Sequence, residues 1–388
     1  LYMKIVHLCL ASFFVDNYTY QENLLPKYHK MAGHDVTIIA SLVSFSEKRK
    51  PIILPGESIY ETQEGCRVYR VDYKRSFYFF NRLLRRYNKL QSLLDKERPD
   101  MIFIHGVQFA NVSIILKYKK KYPSVRILCD NHADWINSAR NLLSKKILHG
   151  IIWRYYANKI EPYVTRFYGV TPLRCEFLKK MYNIPSSKVS LLVMGVDDWG
   201  IPWENRNAIH MKIRNQLNIA PSDFLIITGG KIDERKNIHL LMEAVLNSFE
   251  SNIHLVVFGN IAPEMKKKID SLEDNEKIHY VGWLSSEKTI EYFFASDLAV
   301  FPGTHSVLWE QAVGIGIPSI FKYWDGMTHV DLGGNCLFLF ENSSEEISKK
   351  ISSLSSRETK YLEMKKIASC FAHKFYYSDI AKKVIEDV

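Results

Sequence analysis

Lys231 and Lys236 lie five residues apart in Thr228-GGKIDERKN, directly after two glycines. The preceding Phe224-LIIT reads as a buried strand, so Gly229 and Gly230 fall at a strand end, where missing side chains let backbone amides approach a ligand. Lys236 comes just before a helical pattern that opens at Ile238. Two cations beside a helix N-terminus suit a diphosphate, because free amides and the helix dipole add to their charge. A solvated loop carrying ordinary surface lysines is the plainer alternative. A second group is His305-SVLWEQAVGIGIPSI. Pro302–Gly303–Thr304 closes a strand, and a short helix is expected from about Ser306, its N-terminus a second seat for an anion. Glu310, four residues after Ser306, could accept hydrogen bonds from hydroxyl groups, since an ionised carboxylate only accepts. The alternative is a solvent-facing helix residue. A third group is Asp130-NHAD, where His132 could donate a hydrogen bond or carry a proton; a lone histidine is more often structural. Asp130 and Asp134 could form a metal site with His132, but their spacing is unremarkable and no metal is expected.

These groups sit where short apolar runs stop. Met3-KIVHLCLASF, Val36–Ala40, Asp100-MIFIHG and Ser124-VRILCDNH read as strands apolar on both faces, with helical segments between them. The pattern restarts with Phe224-LIITGGK, Ile253-HLVVFGN, Ile278-HYVGWL, Leu298-AVFPG and Pro318-SIFKYW. Two successive alternations predict an α/β protein of two doubly wound, Rossmann-like domains facing each other across a cleft. The expected boundaries are 1–194 and 195–372, with the helical segment 373–388 returning to complete the first domain. Ligands of such sheets bind beyond the carboxyl ends of the strands, which is where all three groups fall.

Composition narrows the class. The 388 residues are 47% hydrophobic and 24% charged, which is ordinary for a globular protein and excludes collagen, coiled coil and overall disorder. Residues 1–198 hold 31 Lys+Arg against 17 Asp+Glu, and the remainder 21 against 25. A basic first half attracts phosphates or anionic lipid. Lys74-RSFYFFNRLLRRYNKL, Lys117-YKKKYP and Lys145-KILHGIIWRYY interleave aromatics with cations, as segments lying on an anionic membrane do; an amphipathic helix with Phe and Leu packed inward is the equal alternative. No reading motif for nucleic acid accompanies the charge. Six scattered cysteines without a CxxC pair, no signal peptide and no membrane-length apolar run point to the cytoplasm, with peripheral contact at the inner face of the plasma membrane.

Taken in order, the segments resemble the family-4 glycosyltransferases of the GT-B fold, of the kind that build bacterial capsule or lipopolysaccharide. The resemblance rests on Met3-KIVHL, on Ala32–Thr37 (that family's "rGHeVt"), on Val170–Thr171, on Gly195–Val196–Asp197 ("GVD"), and on Gly230–Lys231 with Lys236. It continues through Val257–Phe258–Gly259, Val281–Gly282–Trp283, Ala295–Ser296–Asp297–Leu298, and Glu310–Gln311–Ala312 with Gly316–Ile317–Pro318. It implies that Lys231 and Lys236 hold the donor diphosphate, Lys standing where the family has Arg and so losing the bidentate fork. It implies that Glu310 holds the nucleotide ribose, that His132 lies near the donor sugar, and that the base lies near Gly259, Asn260 and Trp283. Two departures stand out. The first glutamate of the family's E-x7-E motif is Pro302 here, so its contact falls to His305 or to the amides of Ser306 and Val307. The glycine-rich loop after the first strand is absent, and Tyr18, Tyr20, Gln21 and Glu22 stand in its place, either facing the acceptor or simply starting a helix.

The activity implied is transfer of a sugar from a UDP- or GDP-sugar to a hydroxyl of a saccharide or lipid-linked saccharide, with retained configuration, no metal and no further cofactor. Two rivals carry other implications. A silent nucleotide-sugar-binding relic is suggested by the lost glutamate, and a GT-B sugar epimerase would need no acceptor. A dinucleotide oxidoreductase is weaker, as no GxGxxG follows the first strand.

Overall fold

The protein is described by a computed structural model covering residues 2–46, 50–248, 250, 252–273 and 275–387. It divides into two compact units, Leu1–Val193 with Ile380–Val388, and Met194–Asp379.

The first unit is built on an eight-stranded sheet in the spatial order Val189–Leu191, Arg166–Gly169, Arg126–Asn131, Met101–His105, Lys4–Cys9, Asp35–Ser41, Arg67–Val71, Ser58–Glu61. All neighbours are parallel except the last pair, where Ser58–Glu61 runs antiparallel to Arg67–Val71. The central strands read as unbroken apolar runs because helices cover both faces, so alternation has no solvent side to mark. In Met101–His105 every residue is buried. The chain changes direction across the sheet between Lys4–Cys9 and Met101–His105, which makes their carboxyl ends the switch point of this unit.

The second unit has six parallel strands in the order Ile278–Tyr280, Ile253–Ile261, Phe224–Ile232, Leu298–Phe301, Ser319–Lys322, Cys336–Leu339. In sequence order that is 3-2-1-4-5-6, the doubly wound arrangement, with its switch point between Phe224–Ile232 and Leu298–Phe301. Ile226, Leu241, Leu255, Leu298, Ile320 and Leu354 are fully buried in its core.

Several element ends differ from the sequence reading. The strand expected to stop at Gly229–Gly230 runs on to Ile232, because Gly230 pairs with Gly259 on the neighbouring strand. That approach needs glycine: a Cβ on Gly259, whose φ is +121°, would lie 1.8 Å from the Gly230 carbonyl oxygen. Strand Ile278–Tyr280 is shorter than Ile278-HYVGWL, and Gly282 instead accepts from the Gly259 amide at 2.7 Å. The helix expected from Ser306 begins at Leu308. The closing segment is two helices, Thr359–Phe371 and Tyr377–Glu386, parted by a tight turn at Ala372–Phe375. From Ile380 the last helix belongs to the first unit, where the Tyr168 hydroxyl donates to Asp387 at 2.6 Å.

Asp297, in the Ala–Ser–Asp–Leu segment, ties the second unit together. Its Oδ2 accepts from Arg214 Nη2 at 2.5 Å, from the Leu225 amide at 2.9 Å and from Arg357 Nη2 at 3.0 Å. Arg214 is buried, so removing its partner leaves a cation without water or counter-charge. Asp297→Ala is expected to destabilise this unit by about 3–5 kcal/mol in guanidinium unfolding; a loss below about 1 kcal/mol would show that the pair is dispensable.

Candidate functional site

The sequence-derived residues fall into two groups, one in each unit. In the second unit they gather at the switch point, on two loops knitted through their backbones. Gly303 lies so close that a Cβ there would sit 2.2 Å from the Arg235 carbonyl oxygen, and the Thr304 amide donates to that same carbonyl at 3.0 Å. Lys236 seals the seam: its Nζ donates to the carbonyls of Thr304 at 2.7 Å and His305 at 3.1 Å. An ammonium has three donors, so one remains. Burial pulls the Lys236 pKa down to about 8. Lys231, by contrast, is 68% exposed and only loosely near Asp233, at 3.8 Å. Asn237, at φ +53°, precedes the helix Ile238–Leu246 and donates its amide to the Pro302 carbonyl at 3.1 Å.

Glu310 is fully buried rather than solvent-facing, the third residue of the helix Leu308–Ile315. Its Oε1 takes Nε2 of both His305 and His329, each at 2.7 Å, while Oε2 is buried with no hydrogen-bond partner among the described residues. Burial alone would raise this carboxyl, but His305 and His329 outweigh it and hold it well below the usual carboxylate range. Trp309 stacks on Phe321 at 4.8 Å and meets the His305 ring edge-on, so His305 is fixed from a second side. The three groups His305, Glu310 and His329 could also ligate a metal, their ligand atoms lying within 4.8 Å of one another. Nε2 of each imidazole is engaged with Glu310 Oε1, while Nδ1 of His329 has no hydrogen-bond partner among the described residues.

The other donor-side residues are more open. Gly229 is covered by the Phe258 ring, 2.4 Å from where a Cβ would be. Asn260 is exposed after the Gly259 bend, and Trp283 is 51% exposed. Ser306 and Val307 are half-buried on the turn before Leu308. The glycines Gly229, Gly230 and Gly259 therefore serve close packing of two strand ends, a reason local sequence does not disclose.

In the first unit, His132 follows the strand Arg126–Asn131 and is half-buried, its Nε2 3.3 Å from Asp130 Oδ2. Burial works to lower the His132 pKa, yet the Asp130 carboxylate outweighs it and the net shift is upward. Gln21 and Glu22 open the helix Gln21–Met31 and are buried; Gln21 Nε2 donates to Asp130 Oδ2 at 2.8 Å, so it braces Asp130 instead of facing outward. Tyr18 and Tyr20 pack against each other at 5.3 Å, with Tyr18 also stacked near Phe45. Asp134 is paired with Arg174 Nε at 3.1 Å, apart from any cluster with His132.

Sequence reasoning missed His329, half-buried in the loop between Ser319–Lys322 and Cys336–Leu339, and the buried His7 and His29, and it marked the buried His105 only as a strand end. A histidine inside an otherwise apolar strand, as in Lys4-IVHLC, was the available signal.

The comparisons agree with this architecture. The model of the Glycosyltransferase Family 4 domain matches residues 19–199, and the Glycosyl transferases group 1 model matches residues 210–370. An uncharacterised glycosyltransferase of Methanocaldococcus jannaschii is 21% identical over 77% of this chain and 74% of its own. Among solved structures, Anabaena HepE in complex with UDP has a TM-score of 0.68 at 14% identity, covering 99% of both chains. Sucrose-phosphate synthase of Thermosynechococcus elongatus has 0.66 at 15%, covering 98% of this chain and 97% of that one. The catalytic domain of Arabidopsis thaliana starch synthase IV, bound to ADP and acarbose, has 0.67 at 14%, covering 99% and 98%. Fold and matched domains thus define a glycosyltransferase of the GT-B fold. Within that class the chain belongs to family 4.

Because the folded Glu310 carboxyl is held down, its contribution to stability is present above the unfolded value of about 4.3 and is lost as pH falls through the folded value. The guanidinium midpoint of the second unit should therefore fall as pH drops below about 4, and Glu310→Gln should flatten that fall. An acid limb identical in the two proteins would refute the assignment.

Proposed function

We propose that the enzyme transfers a sugar from a UDP- or GDP-sugar, bound by the second unit, to a hydroxyl of a saccharide or lipid-linked saccharide bound by the first. Configuration is retained and no metal is needed. The observation that carries this is the frame at the second switch point: Lys236 and the Thr304–His305 carbonyls on one side, Glu310 with a single unpartnered oxygen on the other. The bound UDP of Anabaena HepE and bound ADP of starch synthase IV support the nucleotide.

In this reading Glu310 Oε2 accepts from the ribose hydroxyls, while His305 and His329 keep the carboxylate ionised and in place. As the anomeric bond breaks, charge grows on the leaving diphosphate. Lys236 with its remaining N–H, the flexible Lys231, and the amides of Ser306 and Val307 before Leu308 stabilise that charge. His305 stands in for the glutamate that Pro302 replaces. The departing phosphate oxygen takes the acceptor proton, so no protein nucleophile is required. His132, its Nε2 held by Asp130, hydrogen-bonds the donor sugar through Nδ1. Tyr18 and Tyr20 lie on the acceptor side.

Lys236→Ala is expected to lower kcat on the order of 10²–10³-fold, and Lys231→Ala less, because its side chain is largely exposed to solvent. Lysine loses its charge as pH rises through its pKa, so the wild-type donor KM should climb above pH about 8 and stay flat below it. Full transfer activity in both variants would refute the diphosphate role.

The lipid-linked acceptor is supported by the first unit's surface. Phe77 and Phe79 are 86% and 87% exposed, with Phe80, Leu83, Leu142, Leu143 and Ile151 also exposed, so inward packing of these apolar side chains does not occur. A cleft of about 600 Å³ beside them is lined by Lys74, Arg86, Lys117 and Lys159, with no acidic residue in its wall. No helix among the described residues is long and apolar enough to cross a membrane. The arrangement fits peripheral contact, with cations meeting lipid phosphates and rings entering the interface. Sedimentation with vesicles containing phosphatidylglycerol should pull down the wild type, and Phe77→Ser/Phe79→Ser should pull down at least about tenfold less. Equal binding of the two proteins would sink this part.

A further inference from the structure

Four hydrogen bonds run end to end through the first unit. The Ala381 carbonyl, on the returning helix, faces His29 Nε2 at 3.2 Å. His29 Nδ1 faces His7 Nε2 at 3.1 Å, and His7 Nδ1 faces His105 Nε2 at 3.0 Å. His105 Nδ1 then faces Asp130 Oδ2 at 3.1 Å. None of the three imidazoles or the carboxylate is more than 1% exposed, so water cannot complete any link.

The chain of bonds starts and ends on acceptors, a carbonyl and a carboxylate. Each link needs one hydrogen, and three neutral imidazoles carry one N–H apiece. Filled from the Ala381 end, the neutral chain leaves a His105 lone pair against the carboxylate. Filled from the Asp130 end, it leaves a His29 lone pair against the carbonyl. Only a fourth proton closes every link. That proton does not belong on Asp130, whose oxygens already accept from Gln21 Nε2 at 2.8 Å, from the Gly106 amide at 2.9 Å and from His132 Nε2.

We propose that His29, His7, His105 and Asp130 hold one proton beyond neutral imidazoles, seated on His105 as an imidazolium paired with the Asp130 carboxylate, and that His105 is thereby a positioning residue for His132. Burial pulls the His7 pKa well down and that of His29 to about 3, which disfavours either as the seat. The other charged or titratable groups around the array are Glu22 and Arg174 near His132, His34 beside His29, and the buried thiols of Cys9, with Arg70 near it, and Cys129 beside Asp130. With Asp130 permanently ionised, His132 always donates through Nε2, and Nδ1 is the nitrogen left for substrate. The proton count stands on its own; the positioning role rests on the reading of His132 given above.

The test is a long-range ¹H–¹⁵N correlation spectrum of the full-length protein, ¹⁵N-labelled on histidine, at pH 8.5, where exposed imidazoles are neutral. The wild type should show a histidine with both ring nitrogens protonated, and His105→Gln and Asp130→Asn should each abolish that signal. Because Asp130→Asn also strips His132 of its partner, His105→Gln decides, with His105→Asn in its place should that variant not fold. No such histidine in the wild type, or a signal that persists in a folded variant, overturns the array. In kinetics, His105→Gln should lower kcat by at least about tenfold with donor KM within twofold. An unchanged kcat overturns the positioning role while the spectrum still decides the array, so the two failures are separable.

Discussion

A carboxylate removed from water survives only if donors surround it, and each unit of this protein is organised around one such group. Asp130 and Glu310 are both fully buried, and imidazoles lie against both. In each case the carboxylate lies at or beside the switch point of a parallel sheet, where strand ends expose backbone and loops from distant parts of the chain meet. The constraint reaches outward from there. His305 must be fixed, so Trp309 and the Lys236 bond to its carbonyl matter. His105 must be fixed, so the strand order that brings Met101–His105 beside Lys4–Cys9 matters.

How much of this could be read from sequence depended on how far apart the partners lie. The two α/β modules were legible because parallel strands buried on both faces are continuous apolar runs that stop abruptly. Lys236, Glu310 and His132 could be singled out as candidates because each follows such a stop. Their partners could not. His329 reaches Glu310 from 19 residues downstream, and His7, His29 and His105 converge from separations of 22 and 98 residues. Nothing local marks a histidine as one link in a chain of four bonds. The buried state of Glu310 was hidden for the same reason: a helix of eight residues, Leu308–Ile315, gives too little periodicity to show which face is inward.

The glycines teach a related lesson. Gly229, Gly230 and Gly259 suggested room for a ligand's approach; a Cβ on Gly229 would meet Phe258, one on Gly259 the Gly230 backbone, and one on Gly230 the Leu308 side chain. A missing Cβ reports that something comes close without saying what. The loop Pro302–Val307 is anchored without a side chain at the motif position, since Gly303 and Thr304 lock onto Arg235 by backbone alone.

The returning helix has a consequence for biogenesis. The first unit takes its last link, the Ala381 carbonyl and the Asp387 contact with Tyr168, from residues that leave the ribosome nearly two hundred positions after the sheet they complete. Domains otherwise tend to fold as they emerge. Here the nascent amino-terminal lobe waits, with a polar seam open between His29 and its eventual cover, until translation of the whole second unit is done.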